Sequence, residues 1–238
     1  MLPNLLTLLR GGPAKAKTPT DALALSVRDR LRRGDLPSDE EVDGFLRPRS
    51  QHLSRQFWTP VAVAAKVARW LGDVGVKRVL DIGSGSGKLC VVAAACGDAS
   101  FVGLEQRTEL ADEATALAAR FGLSDRVTFV NGSLGEVPLP EVDAYYLYNP
   151  FGENVFGPES HIDESVELSD RRYFADVARV EELLREARVG TALVTYNGFG
   201  GTIPGPFCEV AVDRKRPSVL RMWQKTSRVA TIAHFDDE

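Results

Sequence analysis

A short apolar stretch that runs directly into three closely spaced glycines constrains this chain more than any other feature. Residues 79–87 read VLDIGSGSG, and the pattern of residues 88–96, KLCVVAAAC, predicts a helix. A strand, a glycine-rich turn and a helix in this order predict a unit of a parallel α/β sheet. Glycine lets the backbone turn sharply and approach a ligand without an intervening Cβ. The turn would lie at the carboxyl end of its strand, where open α/β sheets bind ligands.

Strand and helix patterns alternate along the rest of the chain, which predicts a doubly wound, mainly parallel seven-stranded sheet. No helix separates the last two strands, so we expect them to pair antiparallel at one edge. We expect strands over 79–82, 100–104, 127–130, 142–148, 191–196, 207–213 and 218–225, and helices over 88–96, 107–121 and 169–188.

The chain divides into residues 1–58, expected to be a helical N-terminal segment that acts as a lid, and residues 59–238, expected to be the main domain. Thr20, Ser38 and Thr59 are typical helix N-caps, and Ser38 begins a capping box. We expect removal of residues 1–50 to leave the sheet folded and to impair turnover or acceptor binding. Within this segment we expect a flexible connection over 11–19, helices over 20–33 and 38–46, an irregular stretch over 47–56, and then a buried helix over 59–71.

Charge and composition exclude several classes of protein. Residues 1–60 carry ten Lys and Arg against seven Asp and Glu, whereas the rest carries 19 against 26. An acidic main domain argues against nonspecific nucleic-acid binding. The apolar stretches are too short for a membrane span, and the first ten residues lack the features of a secretory signal. Three cysteines without a CxxC pair and three scattered histidines predict a cytoplasmic protein with no metal site.

Two nucleotide-binding interpretations of the glycine turn fit poorly. A P-loop would need a glycine at Ile82 and Ser or Thr at Leu89. A dinucleotide fingerprint would need a glycine at Lys88, and Asp81 would repel a pyrophosphate. The same carboxylate suits a cationic amino-acid ligand. A nicotinamide-dependent oxidoreductase therefore stays only as a weaker alternative.

The segment from Asp81 to Gly87 resembles the first motif of the class I S-adenosylmethionine-dependent methyltransferases, and the strand 101–105, FVGLE, resembles the second. The resemblance implies S-adenosylmethionine as cofactor, with Glu105 accepting both ribose hydroxyls. It also implies that Asn131 contacts the adenine amino group, although 131–132 could be a plain Asn-Gly turn. The implied cofactor contacts come from Asp81, Gly83, Ser84, Gly85, Gly87, Glu105, Gln106, Asn131, Gly132, Ser133 and Asn149.

Residues 145–152, YYLYNPFG, resemble the Asn/Asp-Pro-Pro-Tyr/Phe motif of amino-methylating members of that family. The resemblance implies a catalytic group of Asn149, Pro150 and Phe151. Carbonyls at Asn149 would accept hydrogen bonds from the target NH₂, and the Phe151 ring would pack on the acceptor, so that catalysis consists largely of positioning. One proline stands where the family has two. The alternative is a proline-ended strand with a core phenylalanine.

Two further segments complete the expected site. Residues 54–60, SRQFWTP, resemble a segment of some adenine-amino methyltransferases, which implies that Phe57 and Thr59 cover the methionine end of the cofactor; a helix cap with packed aromatics is the alternative. Residues 153–170 contain six acids and no Lys or Arg. They form either a rim that attracts a cationic acceptor or a solvated loop. His161 is the nearest candidate base.

The acceptor stays open between a protein amine, such as one in a cationic segment, a nucleobase and a small amine. A member of the fold that binds cofactor or partner without turnover is a further alternative.

Overall fold

The computed structural model describes residues 20–226 apart from residue 216, so the predicted connection over 11–19 lies outside the described residues. The strands are β1 (Arg78–Ile82), β2 (Ser100–Glu105), β3 (Val127–Asn131), β4 (Ala144–Leu147), β5 (Ala192–Tyr196), β6 (Phe207–Lys215) and β7 (Ser218–Lys225). The helices are α1 (Asp21–Arg32), α2 (Asp39–Asp43), α3 (Pro48–Phe57), α4 (Val61–Asp73), α5 (Lys88–Cys96), α6 (Thr108–Arg120) and α7 (Asp170–Glu186).

The strands form one sheet in the order β3-β2-β1-β4-β5-β7-β6. Strands β1 to β5 are parallel, and β7 pairs antiparallel with both β5 and β6. The predicted doubly wound sheet with antiparallel C-terminal strands is thus confirmed. Strand order reverses between β1 and β4, where Ile82 lies opposite Leu147. The glycine turn and the turn after β4 therefore meet at the switch point, where such sheets bind ligands.

The sheet is buried on both faces. Alternate residues of a strand point to opposite sides, so Val79 joins a core shared with α1, α4, α5 and α6, whereas Leu80 joins a core shared with α7. The helices before the sheet are part of the first core, because Val27 of α1 and Phe45 belong to the same cluster as Phe121. No helix in the described part of the chain combines the length and apolar character that a membrane span requires.

Three local expectations were wrong. Residues 47–56 were expected to be irregular, but α3 begins with Pro48 in its first turn. The buried face of this helix consists of Ser50 and Ser54, so it has no apolar stripe to indicate it. Thr59 is not the N-cap of α4, because Pro60 holds that position and Thr59 Oγ1 lies 2.8 Å from the Tyr146 hydroxyl. Finally, β4 covers only four of the seven residues expected.

Candidate active site

The glycine turn after β1 has a backbone conformation and close neighbours that leave no room for side chains at its glycines. Gly83 and Gly85 have φ values of 78° and 54°, in the left-handed region that favours glycine. A Cβ on Gly83 would lie 2.8 Å from Pro150 Cβ, and one on Gly85 would collide with the Trp58 indole. Three segments that are distant in sequence therefore meet at this turn.

A cavity of about 430 Å³ opens beside the glycine turn, between the ends of β2 and β4, α3 and the loop after β4. This volume falls within the range of small-molecule and cofactor sites. Gln56 and Trp58 form part of its wall. Of the residues expected at the site, the cavity is lined by Phe57, Gly83, Gly85, Glu105, Gln106, Gly132, Ser133, Asn149, Pro150 and Phe151.

A smaller polar recess of about 20 Å³ adjoins this cavity and is lined by Thr59, Asp81 and Ser84. The hydroxyls of Ser84 and Ser86 are buried there without a hydrogen-bond partner among the described residues. Asp81 accepts a hydrogen bond from Cys90 Sγ at 3.3 Å, and burial raises the pKa of the Asp81 carboxyl to about 7. The chemistry of these unused polar groups suits the charged amino-acid end of S-adenosylmethionine.

Gly87 and Asn131 line neither of these two cavities. A Cβ on Gly87 would lie 2.6 Å from the Phe129 ring, so this glycine permits close packing. The Asn131 amide donates to the carbonyl oxygens of Glu105 and Gln106 at 2.9 and 3.1 Å and accepts from the Thr108 hydroxyl at 2.9 Å. The chain itself engages this amide, which holds the end of β2, and the Oδ1 atom keeps one lone pair, so the adenine contact of Asn131 stays a prediction.

Glu105 is the acid at the end of β2, and it is buried against the glycine turn. Its Oε2 accepts from the Gly85 N–H at 2.9 Å, and its Oε1 accepts from the Arg107 N–H at 2.8 Å. Burial raises the pKa of this carboxyl, and the two N–H donors oppose that effect. Each oxygen keeps lone-pair capacity for a further donor. The carboxylate is therefore fixed in advance for the two hydroxyls of a ribose.

Arg107 is a functional residue that sequence reasoning missed. Its buried guanidinium donates to Glu153 at 3.0 and 3.1 Å and to Asp163 at 2.9 Å. Burial would raise the pKa of Asp163, but hydrogen bonds from Ser165 and Arg107 outweigh it and hold that pKa at about 2. Arg49 of α3 also lies 3.5 Å from Asp163. This side of the cavity is thus bridged by charged groups from the turn between β2 and α6, from α3 and from the acidic loop.

The acidic loop is consequently neither a free rim nor a fully solvated segment. Two of its acids, Glu153 and Asp163, point inward to Arg107, and its other acids are exposed at Glu159, Glu164, Glu167 and Asp170. In the sequence, the only sign of this ion pair is that Arg107 stands two positions after Glu105. The position of Arg107 became informative only when the folded sheet placed it opposite the acidic loop.

The turn after β4 presents an unused amide to the cavity. Asn149 has a φ of 40°, its N–H donates to the Gly198 carbonyl at 2.9 Å, and its carbonyl accepts from the Gly152 N–H at 3.2 Å. Within residues 20–226, the side-chain amide of Asn149 has no hydrogen-bond partner. This amide is therefore available to a bound molecule.

Phe151 is mostly buried, although it lines the cavity. Its ring belongs to the core with Ile82 and Leu104, and only 7% of the residue is exposed. This burial favours the alternative of a core phenylalanine, and the packing of Phe151 against an acceptor stays a prediction. Phe156 lines the cavity and is 45% exposed, so it is the aromatic face that an acceptor would meet.

The side chains near the cavity that could act as bases either accept hydrogen bonds from the protein or do not line the cavity. His161 does not line the cavity, and its Nε2 lies 3.1 Å from the Phe156 carbonyl oxygen. The carboxylates that line the cavity are Glu105, Glu153 and Asp176, and each accepts hydrogen bonds from arginine side chains or backbone N–H groups. Burial raises the pKa of the Tyr148 phenol, which keeps it protonated. Among the described residues, no group of His, Cys, Asp and Glu has the arrangement of a metal site.

The N-terminal segment forms a fixed wall of the cavity. Lys88, at the start of α5, is buried with its Nζ 2.7 Å from carboxylate oxygens of both Asp39 and Asp43. Glu113 of α6 accepts from the Arg47 N–H and the Ser50 hydroxyl. Removal of residues 1–50 would leave Lys88 and Glu113 buried without these partners, so we no longer expect the sheet to fold normally without them.

Comparison with known proteins agrees with this geometry. Residues 79–159 match the family described as a methyltransferase domain. An RNA methyltransferase from Salinibacter ruber, crystallised with S-adenosyl-L-homocysteine, is similar at 22% identity and a TM-score of 0.51, covering 76% of this chain and 99% of that one. The yhhF protein of Escherichia coli is similar at 15% identity and a TM-score of 0.51, covering 81% of this chain and 92% of that one.

The mitomycin 7-O-methyltransferase MmcR is also similar, at 13% identity and a TM-score of 0.52, covering 89% of this chain and 62% of that one. One of these proteins is an RNA methyltransferase and another an O-methyltransferase, so the shared fold does not select an acceptor. Residues 79–159 thus match a methyltransferase domain, and the strand order and the glycine turn beside Glu105 agree with the fold that these solved structures share.

Proposed function

We propose that this protein transfers the methyl group of S-adenosylmethionine to an amino nitrogen. The observation that carries the proposal is the unpartnered Asn149 amide, which lines a cavity whose own carboxylates are all engaged. A neutral amine attacks through its lone pair and needs positioning more than prior deprotonation, whereas an alkylammonium ion first releases a proton to solvent. An oxygen or carbon acceptor would usually need a base to remove a proton. The cavity offers positioning groups and no unengaged base among the residues described.

The cofactor supplies an electrophilic methyl group when it is bound, and the residues of this chain would fix its orientation. Glu105 would accept the ribose hydroxyls through lone pairs that the Gly85 and Arg107 N–H groups leave unused. The recess at Asp81 and Ser84 would hold the amino-acid end.

At the acceptor end, the side-chain carbonyl of Asn149 would accept a hydrogen bond from the target NH₂, which orients the nitrogen lone pair. Phe156 would contact the group that bears it.

The test combines binding with product chemistry. Calorimetry is expected to show binding of S-adenosylhomocysteine in preference to NAD. Incubation with methyl-labelled cofactor and fractionated lysate should then give a labelled product in which mass-spectrometric fragmentation places the methyl group on nitrogen. Preferential NAD binding would contradict the choice of cofactor, and a methyl group on oxygen, carbon or sulfur would contradict the acceptor atom.

The main alternative is a member of the fold that binds the cofactor without turnover. The glycine turn and Glu105 both have the geometry that cofactor binding requires. Because an enzyme and a non-catalytic binding protein would share this geometry, it does not distinguish between them. Binding of S-adenosylhomocysteine without label transfer into any lysate fraction would favour this alternative.

A further inference from the structure

A second cavity, of about 510 Å³, lies on the far side of Asn197 from the cofactor cavity. It is formed by the end of β5, the glycine-rich loop that follows, and β7. Its apolar wall is made by Phe199, Ile203, Val219 and Trp223. The volume is sufficient for the body of a drug-sized molecule.

The two cavities meet at the acceptor end of the first. Asn197 lines both of them. The Asn149 N–H donates to the carbonyl of Gly198, which also lines the second cavity, at 2.9 Å. A single hydrogen bond therefore links the proposed amine-binding turn to the second cavity.

The residue between the cavities is held rigidly. Asn197 has a φ of 59°, and its side-chain oxygen accepts from the Val219 N–H at 2.9 Å. Asn149 and Asn197 are the non-glycine residues with positive φ in the described part of the chain. Such strained conformations concentrate at binding and catalytic sites. The two asparagines follow adjacent parallel strands, β4 and β5, and Asn197 lies where the linings of the two cavities coincide.

The lining of the second cavity favours an apolar occupant over a phosphorylated one. Among the described residues, Arg221 is the one cationic side chain that lines the second cavity. Its guanidinium lies 2.6 Å from a carboxylate oxygen of Glu209. Nucleic-acid sites gain their affinity from several cations that neutralise phosphates. The Trp223 ring and the aliphatic side chains of Ile203 and Val219 instead offer surface for an aromatic or aliphatic group.

We propose that the second cavity binds the apolar body of the methyl acceptor, which is accordingly a small amine with an aromatic or aliphatic group. This inference rests on the proposed function and narrows its acceptor class. The amino group would lie at Asn149, and the apolar body would pass Asn197 to pack against Trp223.

The experiment uses the three tryptophans of the chain, labelled with 5-fluorotryptophan and observed by ¹⁹F NMR. Trp58 lines the cofactor cavity, Trp223 lines the second cavity, and Trp70 on α4 lines neither. Tryptophan-to-phenylalanine variants assign the three signals. The probes are tryptamine, phenethylamine and hexylamine, with methylamine as the amine that lacks an apolar body, each added to protein saturated with S-adenosylhomocysteine.

We expect at least one apolar amine to shift the Trp223 signal saturably and to bind at least tenfold more tightly than methylamine. Val219→Phe fills the cavity and should weaken that amine at least tenfold. Val210→Phe is the matched control, because Val210 lies on β6 of the same hairpin, is 49% exposed and lines neither cavity.

Two outcomes would overturn the inference. One is a Trp223 signal that no apolar amine moves while S-adenosylhomocysteine still shifts Trp58, which leaves the proposed function intact. The other is a Trp223 signal that responds to adenosine monophosphate more strongly than to every amine, which would indicate a nucleotide acceptor. A failure of S-adenosylhomocysteine to shift Trp58 would count against the proposed function, and the Trp223 response would still decide the second cavity.

Discussion

The guanidinium of Arg107 makes two parallel hydrogen bonds to the carboxylate of Glu153, at 3.0 and 3.1 Å. Arg107 follows Glu105 at the end of β2, and Glu153 follows the turn that contains Asn149. The bidentate pair therefore ties the two halves of the site together on this side of the cavity. Arg107 is buried and Glu153 nearly so, which makes the loss of either partner costly.

Arg107→Met should destabilise the protein and release the acidic loop. The change leaves Glu153 and Asp163 without their shared counterion, and we expect a loss of about 3 kcal/mol in the free energy of unfolding. Urea denaturation measures that loss, and hydrogen exchange should show faster exchange in residues 152–165. The double variant Arg107→Met/Glu153→Gln should recover part of the stability. Equal stability of the wild type and Arg107→Met would show that the pair does not anchor the loop.

Glu105→Ala should weaken S-adenosylhomocysteine by about 2–4 kcal/mol, because two charge-assisted hydrogen bonds are lost. Calorimetry gives the affinity directly. Glu109→Ala removes an exposed acid from the first turn of α6 and serves as the control. If both variants bind with wild-type affinity, Glu105 does not hold the ribose.

Asn149→Ala should lower turnover at least 10²-fold, about 2.7 kcal/mol, with little change in cofactor affinity. The lost hydrogen bond orients the nitrogen in the transition state, so its effect should appear in kcat. His161→Ala is the comparison, and we expect it to retain turnover because its ring faces the Phe156 carbonyl. A reversed result, with Asn149→Ala active and His161→Ala inactive, would replace positioning with a general-base mechanism.

Asp43→Asn and Lys88→Met should be strongly coupled. Each single change leaves the other partner buried with its charge incompletely compensated, whereas the double change removes both charges. We expect a coupling energy of at least about 1 kcal/mol in a double-mutant cycle measured by urea denaturation. Additive losses would mean that the pair does not fix the N-terminal segment to α5.

Asp81→Asn should alter how stability depends on pH. Burial raises the pKa of this carboxyl from 3.8 to about 7, so between about pH 4 and pH 7 the folded protein keeps a proton that the unfolded chain releases. The contribution of this group to the free energy of unfolding therefore falls by at most about 4 kcal/mol as pH rises through that window. Above pH 7 the contribution is constant.

The variant lacks this loss, so its stability relative to the wild type should grow from pH 4 to pH 7. Urea midpoints at pH 4.5, 6 and 8 measure the trend. Asp125→Asn, at an exposed loop position, should show no such trend. A parallel pH dependence in wild type and Asp81→Asn would contradict the prediction.

The sequence was sufficient for the sheet, because strand periodicity and the glycine turn are local signals. The seven strands, their antiparallel C-terminal pair and the capping box at Ser38 were all predictable in this way. Helix α3 was not, since its buried residues Ser50 and Ser54 are polar and their partners, Glu113 and Lys88, lie elsewhere in the chain.

The site was predictable where motifs are contiguous and less so where contacts are distant. Glu105 lies against the glycine turn, as its position at the end of β2 implied. Arg107 acquires its ion pairs only through two acids about 50 residues away, and the hydrogen bonds of Asn131 to the neighbouring backbone could not be read from the local sequence. The burial of Phe151 depends on α7, which no local pattern relates to the turn.

The core shared by the N-terminal helices and the sheet also decides how the chain would respond to a protease. The rings of Phe45 and Phe121 meet edge to face at 5.2 Å across this boundary. Because the N-terminal helices and the sheet share this core, cleavage within residues 20–58 should expose the core of the sheet to further digestion. A long-lived fragment that begins near residue 59 is not expected. Anyone who transplants this site into another protein would therefore have to carry residues 20–58 with it.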